Sequence, residues 1–168
     1  MNSSTLISNG NLETEDIGKK ISNSVLKKSD SYPVLIFLIG ELGAGKTTLC
    51  KGFLKGLGHK DVVKSPTYNL VETYEFSNLV VFHFDFYQIS HQKELSNVGI
   101  QEYLDTNNSI SIIEWPEKMA SFLPNPDIQI IIHHSEKKED QRSLEIKSNV
   151  SIKPVSYTHL TLPTILLV

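Results

Sequence analysis

The sequence predicts a three-layer α/β fold, in which helices cover both faces of a mostly parallel central sheet and a C-terminal β-hairpin completes the domain. The first reason is the run Val34 to Ile39, which is continuously apolar, as is typical of a central strand that is covered on both faces. The second reason is that further strand patterns alternate with helix patterns along the chain, an order that favours parallel strands joined by helices.

Helices are predicted on both sides of this strand. Thr14 is placed to cap an amphipathic helix that runs to about Lys28, because apolar residues recur there every four positions. A glycine-rich loop follows the strand and leads into a helix from about Lys46 to Leu57, which glycines end. The later predicted elements are strands over 69–76, 79–84, 109–113, 128–133 and 143–146 and helices over 91–104 and 117–122.

The length of 168 residues suits one domain with a hydrophobic core, which we predict over residues 1–154. Residues 155–168 break the pattern, because they are rich in threonine and leucine and carry no acidic or basic side chain except His159. They are similar to translated vector or adapter sequence. We therefore predict a non-native or disordered tail, with a genuine edge strand as the alternative.

The composition indicates a cytoplasmic protein without a membrane segment. The hydrophobic fraction is 39%, no apolar run approaches the length of a membrane span, and the polar N-terminus lacks the apolar stretch of a secretory signal. The single cysteine, Cys50, cannot form an internal disulfide, which fits a reducing compartment. The net charge of −3 gives no basic field of the kind that direct nucleic-acid binding requires.

The segment Gly40 to Thr47 matches the pattern G-x-x-x-x-G-K-[ST] between a predicted strand and a predicted helix, the context that this phosphate-binding loop (P-loop) requires. Its glycines let backbone amides turn toward phosphate oxygens at a helix N-terminus. Lys46 is expected to neutralise the β- and γ-phosphates, and the Thr47 hydroxyl to bind Mg²⁺. The sequence therefore predicts a P-loop NTPase fold with ATP or ADP and Mg²⁺ as cofactors.

Three further residues are candidates for the chemistry. Asp85 and Glu114 each end an apolar strand, where a P-loop fold places the acid that holds the Mg²⁺ shell or orients the attacking water. Thr67 lies in the loop after the P-loop helix, where P-loop ATPases and GTPases keep a γ-phosphate sensor, although Ser65-Pro66-Thr67 by itself favours a simple turn. His83 alternates with phenylalanines on its strand, which favours a structural role. The predicted catalytic residues are Lys46, Asp85, Glu114 and Thr67, and the predicted metal ligands are Thr47, Glu114 and Asp85.

Four motifs occur together, in the same order, in one known family. They are the segments Gly40 to Thr48, Ser65 to Tyr68, His83 to Tyr87 and Ile113 to Glu117. Over about residues 12–146 the chain resembles the bacterial ATPase family TsaE. The P-loop alone is generic, whereas its combination with Ser-Pro-Thr-Tyr and Glu-Trp-Pro is specific.

The resemblance implies a cytoplasmic ATPase of the tRNA threonylcarbamoyladenosine machinery. It implies two partner proteins: a kinase-like transferase that places threonylcarbamoyl on adenosine 37 of tRNA, and the dimerising paralogue of that transferase. The tRNA would be contacted only through the complex.

The resemblance also implies roles for single residues. Thr47 and Glu114 would bind Mg²⁺, and Asp85 would support the hydrolytic site. Either Lys138 or Arg142, in the last hairpin, would contact the nucleotide. Gln88 stands where the family usually has arginine, so an ion pair at that position is lost. The implied nucleotide-binding residues are Asn11 and Thr14 near the adenine, and Gly43, Ala44, Gly45, Lys46, Thr47 and Thr48 around the phosphates.

Three alternatives to an ATPase differ in the reaction they catalyse or in the nucleotide base they recognise. A small-molecule P-loop kinase typically clamps the transferred phosphoryl group with several arginines, but Arg142 is the only arginine among the 16 basic residues. A Ras-type GTPase would carry Asn-Lys-x-Asp for guanine, and this tetrapeptide does not occur. A nucleotide-gated binding module without significant turnover stays open.

Overall fold

The computed structural model describes residues 2–28, 33–66, 68–149 and 165–167. Within these ranges no helix has the length and apolar character that crossing a membrane requires. The elements are, in chain order, β1 (Asn2–Asn9), α1 (Asn11–Lys28), β2 (Val34–Ile39), α2 (Lys46–Gly56), β3 (Val71–Phe76), β4 (Leu79–Asp85), α3 (Gln92–Val98), α4 (Ile100–Leu104), β5 (Ser109–Glu114), a 3₁₀ helix (Pro116–Phe122), β6 (Ile128–His134), β7 (Gln141–Ser148) and β8 (Ile165–Leu167).

The described strands form one sheet in the order β3-β4-β5-β2-β6-β7-β1-β8. Its centre, β4-β5-β2-β6, is parallel, and every pairing outside it is antiparallel. The predicted parallel centre and the predicted hairpin, β6-β7, are both confirmed. Because β4 and β5 run in parallel with Asp85 opposite Glu114, the two carboxylates leave the sheet side by side at its carboxyl edge.

Apolar side chains of the central strands alternate between two cores, which makes the fold three-layered. On β2, Ile36 belongs to the core under α1 and α2, whereas Leu35 belongs to the core under α3, α4 and the 3₁₀ helix. The first core takes Ile17 from α1 and Phe53 from α2. The strands are therefore buried on both faces, as their continuous apolar runs predict.

Helix α2, which follows the P-loop, is fixed by close packing on α1. A methyl group added at Gly52 would lie 1.9 Å from the backbone oxygen of Glu15, and one added at Gly18 would also meet α2 backbone. The Glu15 carboxylate in turn forms ion pairs with Lys51 and Lys55 at 3.1 and 2.7 Å. Glycines thus allow the helix axes to approach closely, and the ion pairs add contacts between the two helices.

The structure differs from the sequence prediction at the N-terminal end. Residues 2–9 form β1, which was not predicted, and α1 begins at Asn11. Thr14 is therefore not the helix cap; it lies one turn inside α1, where its hydroxyl donates to the Gly10 oxygen at 3.1 Å. The Glu13 carboxylate instead accepts the backbone N–H of Asn9 at 2.6 Å, and so joins the helix start to the end of β1.

Two further elements differ from their predicted form. The helix predicted over 91–104 is divided into α3 and α4, because Gly99 between them has a φ of 67°. In the predicted tail, Ile165–Leu167 pair antiparallel with β1 at the sheet edge. Residues 155–164 and 168 lie outside the described residues, so the non-native origin of the tail stays a prediction.

Candidate nucleotide site

The P-loop joins β2 to α2 and turns on two glycines with left-handed backbone. Gly43 has a φ of 76° and Gly45, at the N-terminus of α2, a φ of 107°, conformations that other residues adopt only under strain. The first-turn amides of α2 therefore face the loop, and the positive end of the helix dipole is directed at the same place. This geometry suits a polyphosphate.

A cavity of about 600 Å³ opens next to the loop. Of the predicted site residues, Thr14 does not line it, because its side chain is buried between Ser8 and Gly10. Thr67 lies outside the described residues. Arg142 lines the cavity and Lys138 does not. The lining residues are Asn11, Leu42, Gly43, Ala44, Gly45, Lys46, Thr47, Thr48, Ser65, Asp85, Tyr87, Glu114, Trp115 and Arg142.

Lys46 is held within the loop, with 4% of its surface exposed. Its Nζ donates to the backbone oxygens of Gly40 and Glu41 at 2.5 and 2.9 Å and lies 4.0 Å from the centre of the Trp115 ring. Burial lowers the pKa of Lys46, although the charges of Glu114, Glu117 and Asp85 oppose this shift. The ammonium group thus donates to uncharged backbone oxygens, for which a charged phosphate oxygen could substitute.

Thr47 and Glu114 form the part of the site that fits a metal ion. The Thr47 hydroxyl donates to Glu114 Oε1 at 3.0 Å, and the Glu114 side chain is 3% exposed. Hydroxyl and carboxylate oxygens are hard ligands that Mg²⁺ prefers. Mg²⁺ usually binds through one or two protein ligands together with phosphate oxygens and water. The role of Asp85 as a further ligand stays a prediction.

The Asp85 carboxylate is buried beside Glu114 and holds two neighbouring segments. Oδ2 accepts the Ser65 hydroxyl at 2.5 Å, and Oδ1 accepts the Tyr87 backbone N–H at 2.9 Å. Asp85 therefore ties the end of β4 to the loop that precedes β3. Sequence reasoning did not single out Ser65, although its position in the Ser-Pro-Thr-Tyr motif was the available signal.

His83 lies behind Glu114 in the core, with none of its surface exposed. Its Nε2 is 2.7 Å from Glu114 Oε1, and the Cys50 thiol lies beside the ring without a well-directed hydrogen bond to Nδ1. Burial alone would lower the pKa of His83, but the contacts with Cys50 and Glu114 outweigh burial and raise it above its ordinary value.

Trp115 closes the cavity from the side of β5. Its φ of 58° is left-handed and turns the chain sharply between Glu114 and the 3₁₀ helix. The indole packs on the Tyr87 ring at 5.1 Å between centres, and Lys118 donates to the Tyr87 backbone oxygen. The contact of Trp115 with Lys46 was not predicted, because it depends on this backbone turn.

A glycine loop between a buried strand and a helix, with carboxylates at the ends of two adjacent parallel strands, defines a P-loop NTPase fold. Similarity to known proteins identifies one family within this class. A sequence model of that family, described as threonylcarbamoyl adenosine biosynthesis protein TsaE, matches residues 8–144. The chain belongs to the TsaE family.

Individual relatives agree with this assignment. The tRNA threonylcarbamoyladenosine biosynthesis protein TsaE of Haemophilus influenzae is 41% identical over 135 residues, which cover 80% of this chain and 83% of that protein. The protein of the same description from Bacillus subtilis is 33% identical over 132 residues, 79% of this chain and 77% of its own length. The crystal structure of YdiB from Bacillus subtilis superposes with a TM-score of 0.68 at 26% identity, covering 87% of this chain and 85% of that one.

Proposed function

We propose that the protein is a Mg²⁺-dependent ATPase that serves the threonylcarbamoyl modification of adenosine in tRNA. The modification pathway follows from membership of the TsaE family. The observation that supports ATP hydrolysis best is the Thr47–Glu114 pair beside Lys46, because it puts a metal-binding hydroxyl and carboxylate next to a phosphate-binding cation in one cavity.

In the proposed reaction the chain positions the phosphates and stabilises their charge. Bound Mg²⁺ would neutralise charge on the β- and γ-phosphates. The amides of the P-loop hold the phosphate oxygens, and Lys46 exchanges its backbone acceptors for them. Asp85, next to Glu114 at the carboxyl edge of the sheet, supports the hydrolytic site and orients the loop of Ser65, which leads to Thr67.

The base is proposed to lie between α1 and the last hairpin. Asn9 pairs with Gln141 across β1 and β7, and the neighbouring residues Asn11 and Arg142 both line the cavity. Arg142, rather than Lys138, is the basic residue that we assign to the nucleotide. Thr14 lies beneath this end, so its contribution would be to support the loop and not to touch adenine directly.

The proposed partners are a kinase-like threonylcarbamoyl transferase and its dimerising paralogue, in the cytoplasm, with tRNA bound only through the complex. Hydrolysis would regulate or power the assembly and would not itself modify the nucleoside.

Two measurements test the proposal. The first is phosphate release from ATP and GTP with Mg²⁺ or with EDTA, together with competition binding of both nucleotides. We expect turnover that requires Mg²⁺ and a preference for adenine nucleotides. GTP binding as tight as ATP binding would contradict the base assignment. Absence of turnover, alone and with partners, would favour a binding module.

The second measurement addresses the pathway. A bacterial strain depleted of its own TsaE protein is given either the wild-type chain or the Lys46→Ala variant, and threonylcarbamoyladenosine is quantified in its tRNA by mass spectrometry. We expect only the wild-type chain to restore the modified nucleoside. Restoration by the Lys46→Ala variant would separate the pathway role from nucleotide binding.

A further inference from the structure

His83 is a buried polar residue that the proposed reaction has not used. On β4 it lies between Phe82 and Phe84, and its imidazole has no exposed surface. Burying a polar ring costs free energy unless a partner compensates for its lost hydration. The compensating partner is Glu114, since Nε2 lies 2.7 Å from Oε1 of that carboxylate.

The two carboxylate oxygens of Glu114 differ in their surroundings. Oε1 has both short contacts, with His83 at 2.7 Å and with the Thr47 hydroxyl at 3.0 Å. Oε2 is 3.3 Å from the Thr47 hydroxyl, a longer and weaker contact. His83 therefore anchors Oε1 to the core, while the Thr47 hydroxyl lies within reach of both carboxylate oxygens.

The sheet register makes this anchoring stiff. On the adjacent parallel strands β4 and β5, His83 is paired with Ile112, which lies two residues before Glu114. Because side chains two residues apart point to the same face of a sheet, the imidazole and the carboxylate lie on the same face. The His83 ring has no exposed surface and Glu114 is 3% exposed, so their contact lies on the core side of the carboxylate. The ring cannot follow the carboxylate into another rotamer without leaving its buried position.

We propose that His83 is a positioning residue that fixes the Glu114 carboxylate beside the Thr47 hydroxyl, where the two side chains would hold the magnesium ion that binds with the nucleotide. This inference rests on the proposed function, because it assumes that Glu114 serves a nucleotide-bound cation. It assigns His83 a role beyond the structural one that the strand pattern favours. Outer contacts of this kind typically tune metal affinity by about ten- to a hundredfold.

The test compares His83→Leu, which fills the space but cannot donate, with His83→Gln, whose amide can reach Glu114. Phe82→Leu is the control, since it makes a comparable change on the same strand, in the core on the opposite face of the sheet, and leaves His83 and Glu114 in place. Affinity for Mn²⁺ is measured by electron paramagnetic resonance in the presence of ADP, and affinity for ADP alone is measured in EDTA.

We expect His83→Leu to weaken Mn²⁺ binding by about tenfold or more, His83→Gln to retain most of it, and ADP affinity in EDTA to stay within about twofold in all variants. Wild-type Mn²⁺ affinity in His83→Leu would overturn the inference and leave the proposed function intact. An equal loss of ADP affinity in EDTA would also overturn it, because the defect would then be general.

A further variant keeps the test informative if His83→Leu does not fold. If His83→Leu does not fold, His83→Asn replaces it, since its shorter amide cannot reach Glu114 and we expect it to lose Mn²⁺ affinity relative to His83→Gln. Equal, wild-type affinities of His83→Asn and His83→Gln would overturn the inference. Absence of any Mn²⁺–ADP binding by the wild-type protein would overturn the inference and the proposed function together.

Discussion

The ammonium group of Lys46 lies 4.0 Å from the centre of the Trp115 indole ring, while its protons are donated to the backbone oxygens of Gly40 and Glu41. A phosphate in the cavity would compete for the same protons. We therefore expect nucleotide binding to change the position of the lysine relative to the indole, and Trp115 is the only tryptophan in the chain.

The first prediction is that adding ADP with Mg²⁺ changes the intrinsic tryptophan fluorescence of the wild-type protein. The physical reason is that a cation over the ring face perturbs the indole, and the cation moves when phosphate binds. The change should saturate with the affinity that calorimetry gives. Constant fluorescence under conditions where calorimetry detects binding would show that Lys46 keeps its position.

The second prediction concerns hydrolysis by the Lys46→Ala and Thr47→Ala variants. We expect each to lose turnover by about 10²- to 10³-fold, because each removes a group that stabilises charge at the transferred phosphate. Exposed Lys64→Ala is the control and should keep wild-type turnover. Circular dichroism verifies folding. Normal turnover in folded Lys46→Ala and Thr47→Ala would show that the site has been misassigned.

The third prediction separates the charge of Asp85 from its hydrogen bonds. Asp85→Asn keeps oxygen and nitrogen near Ser65 and the Tyr87 amide but removes the negative charge. We expect hydrolysis to fall by about a hundredfold while the melting temperature changes little. Ser65→Ala, which removes a contact and no charge, should have the smaller effect on turnover. The reverse order would mean that Asp85 acts mainly by holding the loop.

The sequence was sufficient for features that depend on short stretches of chain. The P-loop is recognisable from its own spacing, and Asp85 and Glu114 are recognisable because they follow continuous apolar runs. The strand β1 was missed because Leu6 is the only apolar residue of the strand with its side chain fully in the core. Its stability comes from pairing with β7, which lies near the other end of the domain.

The site features that the sequence did not predict also depend on pairing between strands that are distant in sequence. The cavity wall formed by Asn11 and Arg142 depends on the pairing of β1 with β7, which no local pattern reveals. The resemblance to the TsaE family implied a basic residue there but left Lys138 and Arg142 as alternatives. The contact between His83 and Glu114 depends on the register of two strands, so the alternation of His83 with phenylalanines could indicate burial only.

The fourth prediction concerns the packing of α1 on α2. Gly52→Ala would bring a methyl group to 1.9 Å from the Glu15 backbone oxygen, so the helices must move apart. We expect the free energy of unfolding to fall by about 1–3 kcal/mol, as is usual for overpacking. Asn23→Ala, at an exposed position of α1, is the control and should not lower it. Chemical denaturation measures both, and an unchanged midpoint for Gly52→Ala would contradict the close approach.

The last prediction is that hydrolysis is slow in the isolated protein and faster with the proposed transferase pair. Arg142 is the only arginine, and its Nη1 donates to the backbone oxygens of Glu139 and Gln141 in the hairpin. The chain therefore has no second arginine to stabilise the transition state, and an arginine supplied by a partner can raise turnover by about 10³- to 10⁵-fold.

The measurement is the turnover of wild-type protein and Trp115→Ala, each alone and with both partners. Trp115 lines the cavity and packs against Lys46 and Tyr87, so we expect a partner that acts on the bound nucleotide to contact this ring. We expect activation of the wild type and weaker activation of Trp115→Ala, whose basal turnover changes less. If functional partners leave the turnover unchanged, activation is refuted.

The same complexes test whether the bound nucleotide controls assembly. If the nucleotide site is coupled to the partner interface, the affinity for the partners must differ between the ATP-bound, ADP-bound and nucleotide-free protein. Equal affinities in all three states would refute this control.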